Sequence, residues 1–404
     1  MKIAPLFLLV LTSISISVAN AATTYRVAPY STNTTRNTFP YGTAAVGAEC
    51  EPVTITQSAT GSVKHHFLKG QSSPTGVLAP CVAVTVAEPP PPTGMPAGIP
   101  SIGAWYDATP TTVTAITSGT ATAPTLYSRA GMPEIVGTLN VTCSYCIVDS
   151  VKVRGTVRLN GDHIVLRNSE IYGYMPGRND VVVFANGNNI VIYKNHIHNN
   201  GDMTAFENDV GAIGLSNGTK NVWILENTMH HNSGDSVIIG HNHTPGATDA
   251  IYIGRNTMYA DKENAIDLKV VSNVVVSENV MSDYKPSGSS EGAAIVLHHC
   301  HHQTRILNNK ISNSQVGVSI ASISSTCTPR PVESFVIGNT FDTIVGSAIQ
   351  MWDGNNLIHV EDNSISNAAV GINLTNCPEG TTVTGNTFTN VTTPTKYSGP
   401  TCHP

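Results

Sequence analysis

Charge is scarce in this chain. Lys, Arg, Asp and Glu supply 12% of its 404 residues, and the balance is −6. So few cations, on the acidic side of neutral, argue against a surface that wraps a polyanion, and no nucleic-acid partner is expected. Long apolar runs are also missing beyond the N-terminus, so no transmembrane segment is expected. From about residue 130 onward no helical period of apolar residues can be found. What remains is rich in Thr, Ser, Asn and Gly, a composition that suits an exported β protein.

The N-terminus carries the pattern of an export signal. Lys2 supplies the positive start, Leu6 to Val18 the apolar stretch, and Ala19-Asn20-Ala21 a small-x-small cleavage site. Residues 1–21 are therefore expected to be a signal peptide, and the protein secreted or periplasmic. No Cys follows that site, which argues against a lipid anchor of the bacterial kind. Eight cysteines in an exported chain should pair. Nearest-neighbour pairing gives Cys50–Cys81, Cys143–Cys146, Cys300–Cys327 and Cys377–Cys402. The CxxC spacing of Cys143 and Cys146 falls among strands, with no helix N-terminus to acidify a thiol, so a structural role is expected. Residues 22–87 read as a small β module of unassigned role. Residues 88–100, EPPPPTGMPAGIP, form a stiff Pro-rich linker. The segment from Ser101 to about Pro133 is expected to cap a longer domain covering 101–404.

That domain repeats. Asn256-Thr-Met opens a unit that runs into the alternating Ala265-Ile-Asp-Leu-Lys269, then Val274-Val-Val276, and begins again at Asn279-Val-Met. Asn195, Asn227, Asn309, Asn339, Asn363 and Asn386 hold the same place in their own units, roughly 23–32 residues apart. A lone unit of short alternating strands cannot bury its apolar side. Stacking units about 4.8 Å apart puts Ile on Ile and Asn on Asn. The fold class expected is all-β, a right-handed parallel β-helix with a small N-terminal β module. In its Asn-x-apolar bends the chain resembles the β-helix family of pectate, alginate and related polysaccharide lyases and epimerases, over roughly residues 130–404.

Aligning units by their bends sorts side chains into columns. The residues before each Asn, Lys194, Glu226, Arg255 and Glu278, alternate in sign and read as a surface charge ladder. Taking Ile213, Ile238, Ile266, Ile295, Val318, Ile349 and Ile372 as inward leaves two outward columns. The nearer reads Gly214, Ile239, Asp267, Val296, Ser319, Gln350, Asn373. The farther reads Ser216, His241, Lys269, His298, Ala321, Trp352, Thr375. Lys269, exposed between two His and beside Asp267, is the strongest candidate for proton transfer. The resemblance implies a base role for Lys269, with His241 or His298 as acid or orienting group. Trp352 is a candidate sugar platform, and Tyr259 and His230, stacked on the strand after the bend with His198, candidate substrate contacts. Asp209, Asp235, Glu263 and Glu291 precede the Lys269 row on successive units. Carboxylates gathered without matching cations suit Ca²⁺, which takes six to eight oxygens. The tract His298-His-Cys-His-His302 has a metal-binding composition, but alternation splits it between two faces.

The function expected is a polysaccharide lyase acting by β-elimination on an acidic, uronic-acid glycan, as a monomer. A non-catalytic glycan-binding β-helix, a glycoside hydrolase and an epimerase are the alternatives. Hydrolysis ranks lower at this stage because Asp267 has no outward carboxylate beside it in its column.

Overall fold

A computed structural model describes residues 112–205, 208–240, 243–320, 333–352, 357–377 and 380–399, with four short strands before them. Of those four, Thr24–Tyr25 pairs antiparallel with Val84–Thr85, and Thr38–Phe39 with Gly42–Thr43. The expected signal peptide, the Pro-rich linker, Cys50 and Cys81 lie outside the described residues.

From Thr125 every strand pairs in parallel with the strand one coil away, and the coils wind into a right-handed β-helix. Each coil contributes to three faces. Sheet I holds eleven strands, among them Lys220–Leu225, Asp249–Gly254 and Val271–Ser277. Sheet II follows the Asn bend with His196–Asn200, Thr228–Asn232 and Thr257–Tyr259. Sheet III follows the next corner with Val210–Leu215, Val237–Ile239, Ile266–Leu268 and Ala293–Leu297. In the last coils sheets II and III merge into single strands such as Thr340–Met351 and Thr387–Ser398.

Alternation fills the bore with one apolar row per face. On sheet III the row is Ile213, Val237, Ile266, Ile295, Val318, Ile349 and Ile372, all fully buried and in register. This corrects the expected column at one coil. Val237 points inward, and Ile238 lies opposite Asp267 on the outer face. Three apolar residues run together in Val237-Ile-Ile239, so alternation alone has two equally good phases there. Corner hydrogen bonds choose between them: Asp235 Oδ1 accepts from the Asn264 N–H at 3.1 Å and the Asn264 side-chain amide at 2.8 Å.

The bend is built from two residues. Lys194, Glu226, Arg255 and Glu278 adopt φ near +55° (54°, 52°, 54° and 57°). For a residue with a Cβ this left-handed conformation costs about 1–2 kcal/mol. The following Asn offsets it. Asn256 donates its side-chain amide to Ile224 O and to Asn279 Oδ1, both at 2.9 Å, and Asn279 Oδ1 also accepts the Asn256 N–H at 2.9 Å. The same contacts join Asn195 to Asn227 and continue to Asn363 and Asn386, so one ladder spans the described coils from the second bend to the last. The charged residues form the expected ladder outside it, with Glu226 2.8 Å from Arg255 and 3.8 Å from Lys194.

A second, shorter ladder lies at the corner between sheets II and III. Asn200 donates to Asn232, and Asn232 donates to Asp261 Oδ1 through both its N–H and its amide. Asp261 is 4% exposed, and burial pushes its carboxyl up to about 7, against the pull of Ser236 and Asn232. Its folded pKa thus lies above the ordinary 3.8 of the unfolded chain. Its stabilising contribution is complete below about pH 4 and disappears as pH rises through 7. Asp261→Asn extends the Asn ladder with a side chain that does not ionise. The variant is expected to gain melting temperature relative to the parent as pH is raised from 4 to 8, and to equal it at pH 4. Parallel melting curves for the two proteins over that range would show that this carboxyl does not titrate there.

Outward positions of sheet I are apolar as well. Trp223, Tyr252 and Phe335 are fully buried in a cluster separate from the bore. Those rings are covered and not presented to a ligand. Cys143 bonds Cys146 as expected. Cys300 and Cys377 are also disulfide-bonded, while Cys327 and Cys402 lie outside the described residues. Among the described residues no cysteine is free and no helix is long and apolar enough to cross a membrane.

Candidate active site

The outer face of sheet III is hollowed into a cleft of about 900 Å³. Its floor carries Phe184, Gly214, Ile238, Asp267 and Val296 on successive coils. Gly214 stands where any Cβ would meet the Val181 side chain at 2.9 Å. Corner loops before the strands raise one wall, with Asp209, Asp235, Glu263, Asn264, Ser290 and Glu291. The ends of the strands raise the other, with Lys269, His298 and Trp352. Most of the candidates picked from the sequence therefore share one cavity.

Each carboxylate has a distinct environment. Asp267 projects from Ile266–Leu268, is 5% exposed, and places Oδ2 2.6 Å from Lys269 Nζ. Asp209 pairs with Lys262 at 2.9 Å, and that ammonium also donates to Asn208 O at 2.8 Å. Glu291 accepts from Gln350 Nε2 at 3.1 Å, across two coils. Asp235 is 1% exposed at the rim. Burial pushes its carboxyl well up, and the neighbouring Asp267 and Glu263 push the same way, outweighing the Asn264 hydrogen bond. Glu263 is raised too, chiefly by burial, then by Asp209 and Asp267. Asp235 is thus the group best held as a neutral acid beside an ion-paired carboxylate, Asp267.

Lys269 is not the exposed side chain the sequence suggests: only 20% of it is accessible. Burial acts to lower its pKa, but Asp267, Asp235 and Glu263 outweigh burial and raise it. The ion pair with Asp267 holds a proton on the amine, which suits a fixed ammonium better than a base. His298 moves the other way. Burial lowers it, Lys269 and His299 add to that, and Asp267 and Glu291 oppose, so the ring is kept neutral.

His241 lies outside the described residues. In the observed register Gly240, not His241, precedes Lys269 in the row, as a consequence of the one-residue phase at Val237. Trp352 stands at the rim, 53% exposed. His230 and Tyr259 stack on each other with ring centroids 4.6 Å apart, but on the outer face of sheet II, away from the residues that line the cleft. Burial, then His196, His198 and His231, push His230 down to about 4.

The four acids expected to bind Ca²⁺ all line the cleft but do not form a cage in this arrangement. Asp209 is neutralised by Lys262 and Glu291 is engaged by Gln350. Among the described residues their oxygens do not converge as a group of three within 4.8 Å. No step is assigned to a cation here. Sequence reasoning missed Asp180, which closes one end of the cleft and is held by Arg158 at 3.2 Å and the Tyr174 hydroxyl at 2.6 Å. It sits on the strand preceding the first recognisable Asn unit, so no column reached it.

Residues 134–331 match the family model described as a right handed beta helix region. No curated protein matches the sequence. Three solved structures illustrate the range of likeness. The Streptococcus pneumoniae surface protein and adhesin PfbA is 13% identical over 65% of this chain and 68% of its own, with a TM-score of 0.34. An alginate lyase from Paenibacillus sp. is 13% identical over 67% and 92%, with a TM-score of 0.36. The catalytic unit of a GH87 α-1,3-glucanase from Streptomyces thermodiastaticus is 14% identical over 70% and 62%, with a TM-score of 0.35. An adhesin, a lyase and a glucanase are about equally similar to the chain, so the likeness selects no activity.

Proposed function

We propose that this right-handed β-helix protein is an exported carbohydrate-active enzyme that hydrolyses a glycan in the sheet III cleft. The observation that carries the reading is the pairing of two unlike carboxyls. Asp235 is buried and held protonated, and Asp267 is ion-paired to Lys269 in the same cavity. Such a pair divides the labour of glycoside cleavage. Asp235 donates a proton to the leaving oxygen. Asp267 supplies the carboxylate, acting on the sugar carbon or on water. Lys269 fixes Asp267 in place through their ion pair, and Trp352 offers a ring face to a sugar at the rim.

This reverses the ranking drawn from the columns. The second carboxyl comes from the corner loop before the strand, which the column did not include. The lining also bears on the substrate. Asp180, Asp209, Asp235, Glu263, Asp267 and Glu291 face the cleft, against Lys269 as the lining ammonium. Asp180, Asp209 and Asp267 already pair with Arg158, Lys262 and Lys269, so among the described residues no cation of the cleft is left over for a polyuronate, which favours a neutral glycan. The β-elimination reading keeps one observation in its support: a neutral His298 in the cleft with Lys269 could take a proton beside a uronate that the ammonium neutralises.

The two chemistries leave different products. Hydrolysis releases reducing ends with no ultraviolet-absorbing product, whereas elimination leaves a double bond conjugated to a carboxylate. Incubation with neutral and acidic polysaccharides is expected to release reducing ends from a neutral one without a rise in absorbance. A rise on a uronic-acid glycan, lost in His298→Ala, would replace hydrolysis by elimination. Binding without either product would make the cleft a recognition site.

A further inference from the structure

Sheet II carries a second cluster of functional side chains that the cleft does not use. His196 and His198 lie two apart on one strand and so share its outer face. His230 is the register partner of His198 on the next coil, with Tyr172 on the coil before and Tyr259 on the coil after. The three imidazoles each present a nitrogen, and these nitrogens all lie within 4.8 Å of one another. The closest pair, His196 Nε2 and His230 Nε2, is 2.8 Å apart.

Polar groups do not gather this way without a reason to stay together. Two neutral imidazole nitrogens at hydrogen-bond distance share one proton between them, and the third ring, His198, stands outside that bond. His198 Nδ1 is buried without a hydrogen-bond partner, and Nε2 has one long contact, 3.4 Å to Glu170 Oε1. Left unmet, such a group costs on the order of 1–3 kcal/mol. The surroundings fix the rings rather than satisfy them. Tyr172 stacks on His198 and Tyr259 on His230, with centroids 5.6 and 4.6 Å apart. His230 Nδ1 contacts His231 Nδ1 at 2.8 Å, which leaves Nε2 as the nitrogen turned toward His196.

We propose that His196, His198 and His230 form a transition-metal site that takes Zn²⁺ through three imidazole nitrogens, with a fourth position left to Glu170 or solvent. Three imidazoles on one face, with a carboxylate beside them, are a ligand set suited to a borderline-soft divalent ion. One ion there replaces the contested proton and satisfies His198. His231 then acts as the outer partner that orients a ligating ring. The strand spacing helps: one His-x-His strand and one neighbour about 4.8 Å away bring three donors to a point without any loop. The site ties two consecutive coils together on a different face from the cleft, so its role is to clamp the coil stack and not to cleave the glycan.

The test uses the full chain stripped by a chelator and dialysed free of it. Titration with ZnCl₂ is expected to show one tight equivalent bound and a rise in melting temperature. His198→Ala and His230→Ala should each weaken that binding at least 100-fold and abolish the rise. Circular dichroism of each variant checks that the coils remain. X-ray absorption of the wild-type zinc protein, which depends on no variant, should show a nitrogen-rich shell at about 2.0–2.1 Å with the outer scattering of imidazole. Absence of a tight equivalent would overturn the site. So would undiminished binding in both folded variants, or a thiolate or oxygen-only shell, since zinc would then sit elsewhere or nowhere.

Discussion

Asp235→Asn is expected to lower turnover by about 10²–10⁴, the usual worth of a positioned proton donor, while leaving the melting temperature nearly unchanged. The stability argument is local. The Asn264 N–H and amide bond to Oδ1 of Asp235, and an Asn at 235 keeps that oxygen. Because the parent carboxyl is held neutral, the substitution removes no buried charge. The activity argument concerns the leaving group. A sugar leaving as an alkoxide needs a proton, whereas an activated aryl glycoside needs far less help. The loss should therefore shrink on a substrate with a good leaving group. An equal loss on both substrates would mean that Asp235 shapes the cleft without donating a proton. Asp267→Asn should also be inactive, but it strands a mostly buried ammonium at Lys269 and so should lose stability as well.

The largest effect on folding is expected from the middle of the Asn ladder. Asn279 accepts two hydrogen bonds from Asn256 and donates to Ile253 O and Asn309 Oδ1. Truncation to Ala leaves several of these buried partners unmet, at about 1–3 kcal/mol each. A loss of about 3–5 kcal/mol is expected for Asn279→Ala in denaturant unfolding. Asn386 makes similar bonds at the last described bend, where water can replace them. There the same substitution should cost about 1 kcal/mol. Equal losses at both ends would show that each bend is held locally and that stacking adds nothing.

The fold was legible because two signals repeat independently: the apolar alternation and the Asn two residues before its apolar partner. A stacked architecture turns such repetition into geometry, since every copy must lie over the last. The cleft was half legible. Asp267, Lys269, His298 and Trp352 follow from columns, because strand residues obey alternation. Asp235, Glu263 and Asp209 were noticed as acids but not as cleft partners of Asp267, because corner loops follow no period. The phase at Val237 was lost for a related reason, since a run of three apolar residues erases the alternation. Ionisation was beyond reach altogether. Whether Lys269 is a base or a fixed cation depends on which acids the loops deliver, and only the packed coil sets that.

Parallel coils also raise the question of where stacking stops. The last described strand, Thr387–Ser398, pairs with Ser364–Thr375 on one side, and most of its positions are exposed. An open strand of that length is a template onto which another chain could add, the first step toward a filament. Its sequence resists copying. Pro394 has no N–H to offer, Lys396 brings a charge to the edge, and Thr393 and Thr395, which lie over Val370 and Ile372, leave little apolar surface for a further coil to cover. Among the described residues, the outermost strand thus offers more to water than to a further coil.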